Sequence, residues 1–452
     1  MERDKLQVLF KIIKKILPAI SIIFIIIFLA TALIRLQYPY ELEWMEGGMA
    51  DHVQRVMDGE QIYSEPGIDF TAFIYPPLYY YISAGLASIT GNGFFPLRLV
   101  SILATALSFW LIYLFIKRET GEGYYGILGA GLFAATYEFS GAWFDLARVD
   151  SLFVMFLLLT FYLLRIRDKK TFLLAGLTAT AAFLTKQSAI IIIAPVFVYS
   201  IIAERKLSVY FVSVFILFSG GAILSLNSLT DGWFSYYLFK LPSAHKILIE
   251  KIYSFWIDGL FVQLSVAFFL SLAYFLVTKS GWRRGSLWFY FSITAGTFIY
   301  SWSSLMYSGG FSNVLIPSHA VLALLFGIAY KNINDDMQDI LPGSRTNVQI
   351  ILALLIMGQF AQLTYHPLKY IPKSEDRAAA EKYMQTLRSF KSPVYVPVQG
   401  FIPRRAGHET HAHSMALYDV MRGDKINGEK LENELSELLE KHHFNADRKS
   451  VV

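Results

Sequence analysis

Residues 16–36 read ILPAISIIFIIIFLATALIRL, and shortly afterwards residues 41–48 read ELEWMEGG. The first run has about the 20 residues needed to cross a bilayer, and it follows Arg3, Lys5, Lys11, Lys14 and Lys15. It is too long for the apolar core of a signal peptide and lacks a small-residue cleavage site, so it predicts an uncleaved first span with a cytoplasmic N-terminus. The second run then falls just outside the membrane. Three carboxylates there, Glu41, Glu43 and Glu46, need a physical account.

Working outward, the 452 residues are 55% hydrophobic, 16% aromatic and only 17% charged, with a mean hydropathy of +0.44. Such a composition predicts an all-α polytopic membrane protein. The formal charge of +5 is small for this length, and its cations gather in short loops, which reads as orientation signal and excludes a nucleic-acid partner. Absence of cysteine excludes disulfides, thiolate metal sites and a cysteine nucleophile.

Apolar periods predict eleven spans, near 16–36, 97–116, 123–139, 150–166, 171–185, 188–203, 208–228, 257–277, 286–306, 314–330 and 347–365. The apolar stretch 78–90 is expected to lie along the membrane surface. If it crossed, the basic clusters at 117–118, 165–170, 205–206, 279–284 and 331 would no longer share one side. Residues 1–365 therefore form the membrane domain, with a long first outer loop at 37–97 holding a short helix over 45–57 and the juxtamembrane stretch. Residues 366–452 read as a small α+β extramembrane segment on the outer face, with a strand at 394–398 and an amphipathic helix at 429–441. The last residues, 448–452, carry no terminating signal.

With that topology, the unusual polar residues converge on the outer face. Glu43 and Glu46 share a helix face if 43–57 is helical, and either can act as a general base once its pKa is tuned; the alternative is solvated acids capping a helix. Arg148 and Asp150 flank a span end, offering a forked grip on phosphate and a second carboxylate, or a local ion pair. Lys186 and Arg98 stand on the outer side against the charge bias, as phosphate contacts or as snorkelling cations. Trp233 belongs to an aromatic patch preceding His245, and Asn313 and His319 follow the glycine pair of a flexible turn. His408, His411 and His413 lie close together, but their spacing matches no metal motif, and no metal is expected. Neither a Walker loop nor a dinucleotide fingerprint is present, so no nucleotide site is visible.

In order along the chain, Glu43 to Gly47, Tyr75 to Tyr81, Arg98-Leu99, Ala147 to Asp150, Leu184 to Lys186 and His245 resemble motifs of the GT-C integral-membrane glycosyltransferases. The resemblance is to the group that contains the protein O-mannosyltransferases and the lipid A aminoarabinose transferases, and it covers about residues 16–330. It implies an enzyme in the plasma or inner membrane that moves a sugar from a polyprenyl-phosphate donor to a glycan, lipid or protein acceptor, with inversion and with no further cofactor. It implies a carboxylate base, Glu46 on spacing with Glu43 in reserve, and Asp150 beside it. Arg98, Arg148, Lys186 and His245 would hold the donor phosphate, and Tyr75, Trp233, Asn313 and His319 would line the substrate. Where relatives carry an Asp-Glu pair, this chain has Met45-Glu46 or Leu42-Glu43.

Two other classes compete. A transporter or lipid flippase explains the spans but calls for charges near the midplane, whereas here they fall at one surface. A noncatalytic scaffold explains the aromatic belts but not so many ionisable groups on one side.

Overall fold

A computed structural model describes residues 2–277, 286–340, 345–391, 393–444 and 446–447. The basic loop at 279–284 and the tail at 448–452 lie outside the described residues.

The first helix, α1 (Glu2–Leu36), takes up the basic lead as well as the apolar run; at 35 residues it is about 52 Å long and outreaches a hydrocarbon core of about 30 Å. The long loop after α1 contains α2 (Glu46–Met57) and α3 (Leu78–Thr90). With 13 residues, α3 reaches only about 20 Å, too short to cross. Its tyrosines are not an interfacial belt: Tyr79 and Tyr80 are buried, and only Tyr81 is exposed. The Tyr79 hydroxyl donates to the Leu97 carbonyl at 2.8 Å, which fixes α3 against the next helix.

The bundle continues with α4 (Phe94–Thr120), α5 (Gly123–Ala135), α6 (Asp150–Ile166), α7 (Lys169–Thr185), α8 (Ala189–Ala203) and α9 (Arg205–Leu229). After an irregular passage come α10 (Val262–Val277), α11 (Ser286–Met306), α12 (Ile316–Ile340) and α13 (Arg345–Gln362). The turns between helices follow local chemistry. Gly121 ends α4 in a left-handed conformation (φ 76°) with its amide on the Lys117 carbonyl, and Asp168 caps α7 by accepting from the Lys170 and Thr171 amides.

Helices overlie all the expected spans. Among the described residues, six stretches are long and apolar enough to cross by length and composition, and α5 and α8 are shorter apolar helices. The protein is thus a membrane-embedded, multi-pass helical bundle. Almost wholly buried, α12 forms its centre and packs on α4, α5, α10 and α11. Where α11 crosses α8, a side chain at Gly296 would meet the Ile192 carbonyl at 2.4 Å, so the backbones touch there.

The C-terminal segment holds α14 (Ser374–Ser389), α15 (Phe401–Ala406), α16 (Ser414–Gly423) and α17 (Lys425–Glu440). The expected strand over 394–398 contracts to Val394–Tyr395, paired in parallel with Ala446–Asp447. The last helix begins earlier than its apolar period suggests, because Asp424 caps it at the Ile426 and Asn427 amides. A small core of Met384, Leu387, Val394, Val396 and Ile402 closes around Tyr40, tying the segment to the loop after α1.

Candidate active site

Two glutamates three positions apart meet two arginines, Arg98 on α4 and Arg148 in the bend just before α6. Glu46 is the first residue of α2 and is fully buried. Its Oε1 accepts from Arg98 Nε at 3.0 Å and the Ala147 amide at 2.8 Å, while Oε2 accepts from Arg98 Nη2 at 2.5 Å and the Leu42 amide at 2.8 Å. Arg98 spends its remaining N–H groups on the carbonyls of Arg35, Tyr38 and Tyr40. Burial alone would raise the Glu46 pKa, but the Arg98 charge and these donors hold it below the ordinary carboxylate range. Beneath it, Arg35 pairs with Asp145 at 2.9 Å, a second buried ion pair. Neither Glu46 nor Arg98 is among the residues that line the neighbouring cavity.

Glu43 does line that cavity, together with Trp44, Tyr75, Trp143, Arg148 and His245. Its Oε2 accepts from Arg148 Nη1 at 2.8 Å, and its buried Oε1 has no hydrogen-bond partner. Burial lifts the Glu43 pKa above the usual value, and Arg148 only partly opposes the rise. Arg148 also donates to the Tyr75 hydroxyl at 3.1 Å and lies over the Trp143 ring at 5.4 Å. Burial works against the guanidinium charge, yet Glu43, Tyr75 and Asp150 keep its pKa above the ordinary value.

The third acid, Glu41, is different again. A Cβ at Gly47 would lie 2.0 Å from its Oε1, so glycine is required for that carboxyl to sit where it does. Burial first, then repulsion from Glu46, Asp51 and Glu43, drives its pKa well up, which favours the neutral acid.

A second charged group adjoins the cavity through Asn313, one of its lining residues. Asp150, at the start of α6, accepts at Oδ1 from Lys186 Nζ (2.7 Å) and Asn313 Nδ2 (3.0 Å), and its buried Oδ2 is unpartnered. The chain terminates α7 at Lys186; burial works against the ammonium charge, but Asp150, Tyr300 and Tyr75 together raise the lysine pKa above its ordinary value.

His245 Nε2 lies 3.1 Å from Asp419 Oδ1 on α16, and Arg422 Nη2 donates to the same oxygen at 2.8 Å. Asp419 and Met415 thus bring the C-terminal segment into the cavity lining, with Phe311 from the turn before α12. Sequence reasoning missed Trp143, Phe311, Met415, Asp419 and the Arg35–Asp145 pair. No spacing signal marks Asp419, an acid in a segment of soluble composition, whereas Arg35 was visible as a lone cation ending an apolar run.

The structure therefore brings together Glu43, Tyr75, Arg148, Asp150, Lys186, His245 and Asn313. It does not bring the others there. Glu46 and Arg98 seal one another, and His319 is buried between Ser140 Oγ and the Gly259 carbonyl, both at 3.1 Å. Trp233 packs edge-on to Tyr236, with ring centroids 5.0 Å apart, and is not among the cavity's lining residues. The three clustered histidines face separate partners, the Leu387 carbonyl, Asp69 and the Trp44 carbonyl. No group of His, Asp and Glu placed to hold a metal ion occurs among the described residues.

Residues 75–227 match the family model described as dolichyl-phosphate-mannose-protein mannosyltransferase. A solved structure of ArnT from Cupriavidus metallidurans bound to undecaprenyl phosphate superposes with a TM-score of 0.63 at 11% identity, over 88% of this chain and 87% of that one. The chain shares the fold of this ArnT structure. ArnT from the same organism in the apo state gives a TM-score of 0.58 at 12% identity, over 86% of this chain and 85% of that one. A comparison with curated proteins found no match. Within this shared fold, the family match takes in Tyr75, Arg98, Arg148, Asp150 and Lys186, and Glu43 lies before it.

Proposed function

We propose that this chain is a GT-C membrane glycosyltransferase that moves a sugar from a polyprenyl-phosphate donor to an acceptor on the outer face, with inversion and with Glu43 as the base. The observation that carries the reading is a buried, unpartnered carboxylate oxygen on Glu43 in a cavity that also holds Arg148 and adjoins the Asp150–Lys186 pair. Its raised pKa suits a proton acceptor better than the depressed one of Glu46.

In the proposed step, an acceptor hydroxyl gives its proton to Glu43 while its oxygen forms a bond to the anomeric carbon. The bond from that carbon to the phosphate oxygen breaks on the opposite side, and its electron pair leaves with the lipid phosphate. Arg148 and Lys186 offset the charge that gathers on the departing phosphate. Asp150, itself held by Asn313, holds Lys186, and Tyr75 sets the Arg148 fork. His245, tied to Asp419, sits at the cavity wall. Arg98 is assigned no phosphate role, because every hydrogen bond it makes is to Glu46 or to backbone.

The reading includes eleven crossings, a cytoplasmic N-terminus and an outer C-terminal segment, with residues 1–365 as the membrane domain. The clustering of buried charge around Glu43, Glu46, Asp145, Arg148, Asp150 and Lys186 at one end of the bundle favours transfer over transport.

The test is transfer from a radiolabelled polyprenyl-phosphate sugar by the full-length protein in proteoliposomes. Glu43→Gln is expected to abolish transfer while the protein stays folded; a wild-type rate would remove Glu43 as the base. Cysteines placed singly at positions 43 and 168 should label from opposite sides, with no native thiol to interfere. Labelling from one side would break the topology.

A further inference from the structure

Next to the cavity that holds Glu43 lies a wider cleft of about 550 Å3, between the turn before α12 and the C-terminal helices α16 and α17. Trp44, Gly309, Phe311 and Met415 line both spaces, so the wide one opens on the narrow one. Their sizes divide the labour. The Glu43 cavity, about 60 Å3, admits little more than a reacting group, whereas the cleft falls within the range of about 300–1,000 Å3 found for small-molecule sites.

The walls carry a particular chemistry. Trp44, Phe311 and Tyr418 expose large ring surfaces, at 39%, 54% and 55%, on a part of the chain that also contains charged helices. Polar groups stand at the edges of these rings. Arg422 donates to Ser308 Oγ at 2.7 Å and to Asp419 Oδ1 at 2.8 Å, and its guanidinium lies 4.8 Å from the Tyr418 ring centre. The same Asp419 meets His245 in the narrow cavity. One hydrogen-bonded chain thus runs from the cleft wall to the site of reaction.

We infer that this cleft is the acceptor site and that its occupant is a saccharide. The inference rests on the glycosyl-transfer reading and names the acceptor class for the same site. A pyranose ring has an apolar C–H face that stacks on an aromatic ring and a hydroxyl edge that needs donors and acceptors. Trp44, Phe311 and Tyr418 supply the first, and Arg422, Ser308 and Ser414 the second. A lipid chain would leave that polar edge without use. Seated there, the saccharide has a direct path past Trp44 and Met415 for the hydroxyl that reaches Glu43. No assignment of this kind attaches to residues 414–435 from the family match, which ends at residue 227.

The test uses the full-length protein in nanodiscs and measures binding of mannotriose, chitotriose and maltotriose by saturation-transfer NMR. At least one probe should bind, and Tyr418→Ala should weaken it about tenfold, the loss of one stacking contact. Met421→Trp, which fills the cleft, should block the probe, and because Tyr418 is exposed its variant remains informative if the filled one misfolds. Glu43→Gln should keep saccharide binding. No binding of any probe, binding unchanged by Tyr418→Ala, or displacement of the probe by polyprenyl phosphate would overturn the inference. Persistent binding together with full transfer by Glu43→Gln would instead overturn the choice of base and leave the cleft assignment standing.

Discussion

The Glu46–Arg98 and Glu43–Arg148 pairs have the same chemistry, stand three positions apart on one partner's side, and have opposite fates. At the first, both carboxylate oxygens carry two donors each and the arginine hydrogen-bonds only to Glu46 and backbone. At the second, one carboxylate oxygen is unpartnered and the arginine retains an unpartnered Nε. The difference teaches that a buried ion pair becomes available for chemistry when its hydrogen-bonding capacity is left incomplete beside a cavity. When that capacity is filled, the same pair is a structural rivet.

The largest expected effect breaks the comparison at its reactive side. Glu43→Gln should lower transfer by about 10^2–10^4-fold, the usual contribution of a general base, with a smaller loss of thermal stability in detergent than at Glu46, because the Glu43–Arg148 pair borders a cavity. On the sealed side, Glu46→Gln leaves the Arg98 charge uncompensated and should cost about 3–5 kcal/mol. Reduced yield and a lowered unfolding temperature would check it, and replacing Glu46 and Arg98 together by Gln and Met should recover part of the loss.

A third prediction uses pH. A base must be deprotonated, and burial raises the Glu43 pKa, so kcat/KM should rise with pH on an acid limb lying above that of a free glutamate. Arg148 opposes the rise, so Arg148→Gln should move that limb further up in a pH–rate profile. A smaller effect is expected at the fork itself: Tyr75→Phe removes one hydrogen bond to Arg148 and should weaken donor use about fivefold, near 1 kcal/mol.

The smallest effect is on stability alone. Asp51 on α2 has its pKa pushed up to about 8 by burial, with Arg404 opposing. Because the folded value exceeds the unfolded one, its contribution is fully present below about pH 4 and is lost as pH rises toward 8. Asp51→Asn should flatten that decline and raise the unfolding temperature at pH 8 by roughly 3–6 °C.

Much of the membrane architecture was legible because apolar runs of bilayer length have few alternatives. The short helix beginning at Glu46 followed from the turn at Asp58-Gly59, and α3, which charge parity set apart from the spans, has only 13 residues. The burial of Tyr79 and Tyr80 was not legible, since an amphipathic ring suits a core with one hydroxyl partner as well as an interface. Similarly, spacing favoured Glu46 over Glu43 as the base, but spacing carries no information on which carboxylate is fully solvated by donors. His319 and Trp233 were plausible ligands by residue type, and each is satisfied elsewhere.

By itself the sequence determined that this is a multi-pass helical membrane protein with its unusual charges gathered toward one face, because hydrophobic length and cation bias act locally and additively. Only the tertiary structure decided which glutamate is sealed and which faces a cavity, and that Asp419 from the far end of the chain joins His245 at its wall. Those outcomes depend on partners about 50 to 170 residues away, Arg98 and Ala147 for Glu46, Arg148 for Glu43, and Asp419 for His245. Burial and hydrogen-bond completeness are properties of such meetings, and no single stretch of chain carries them.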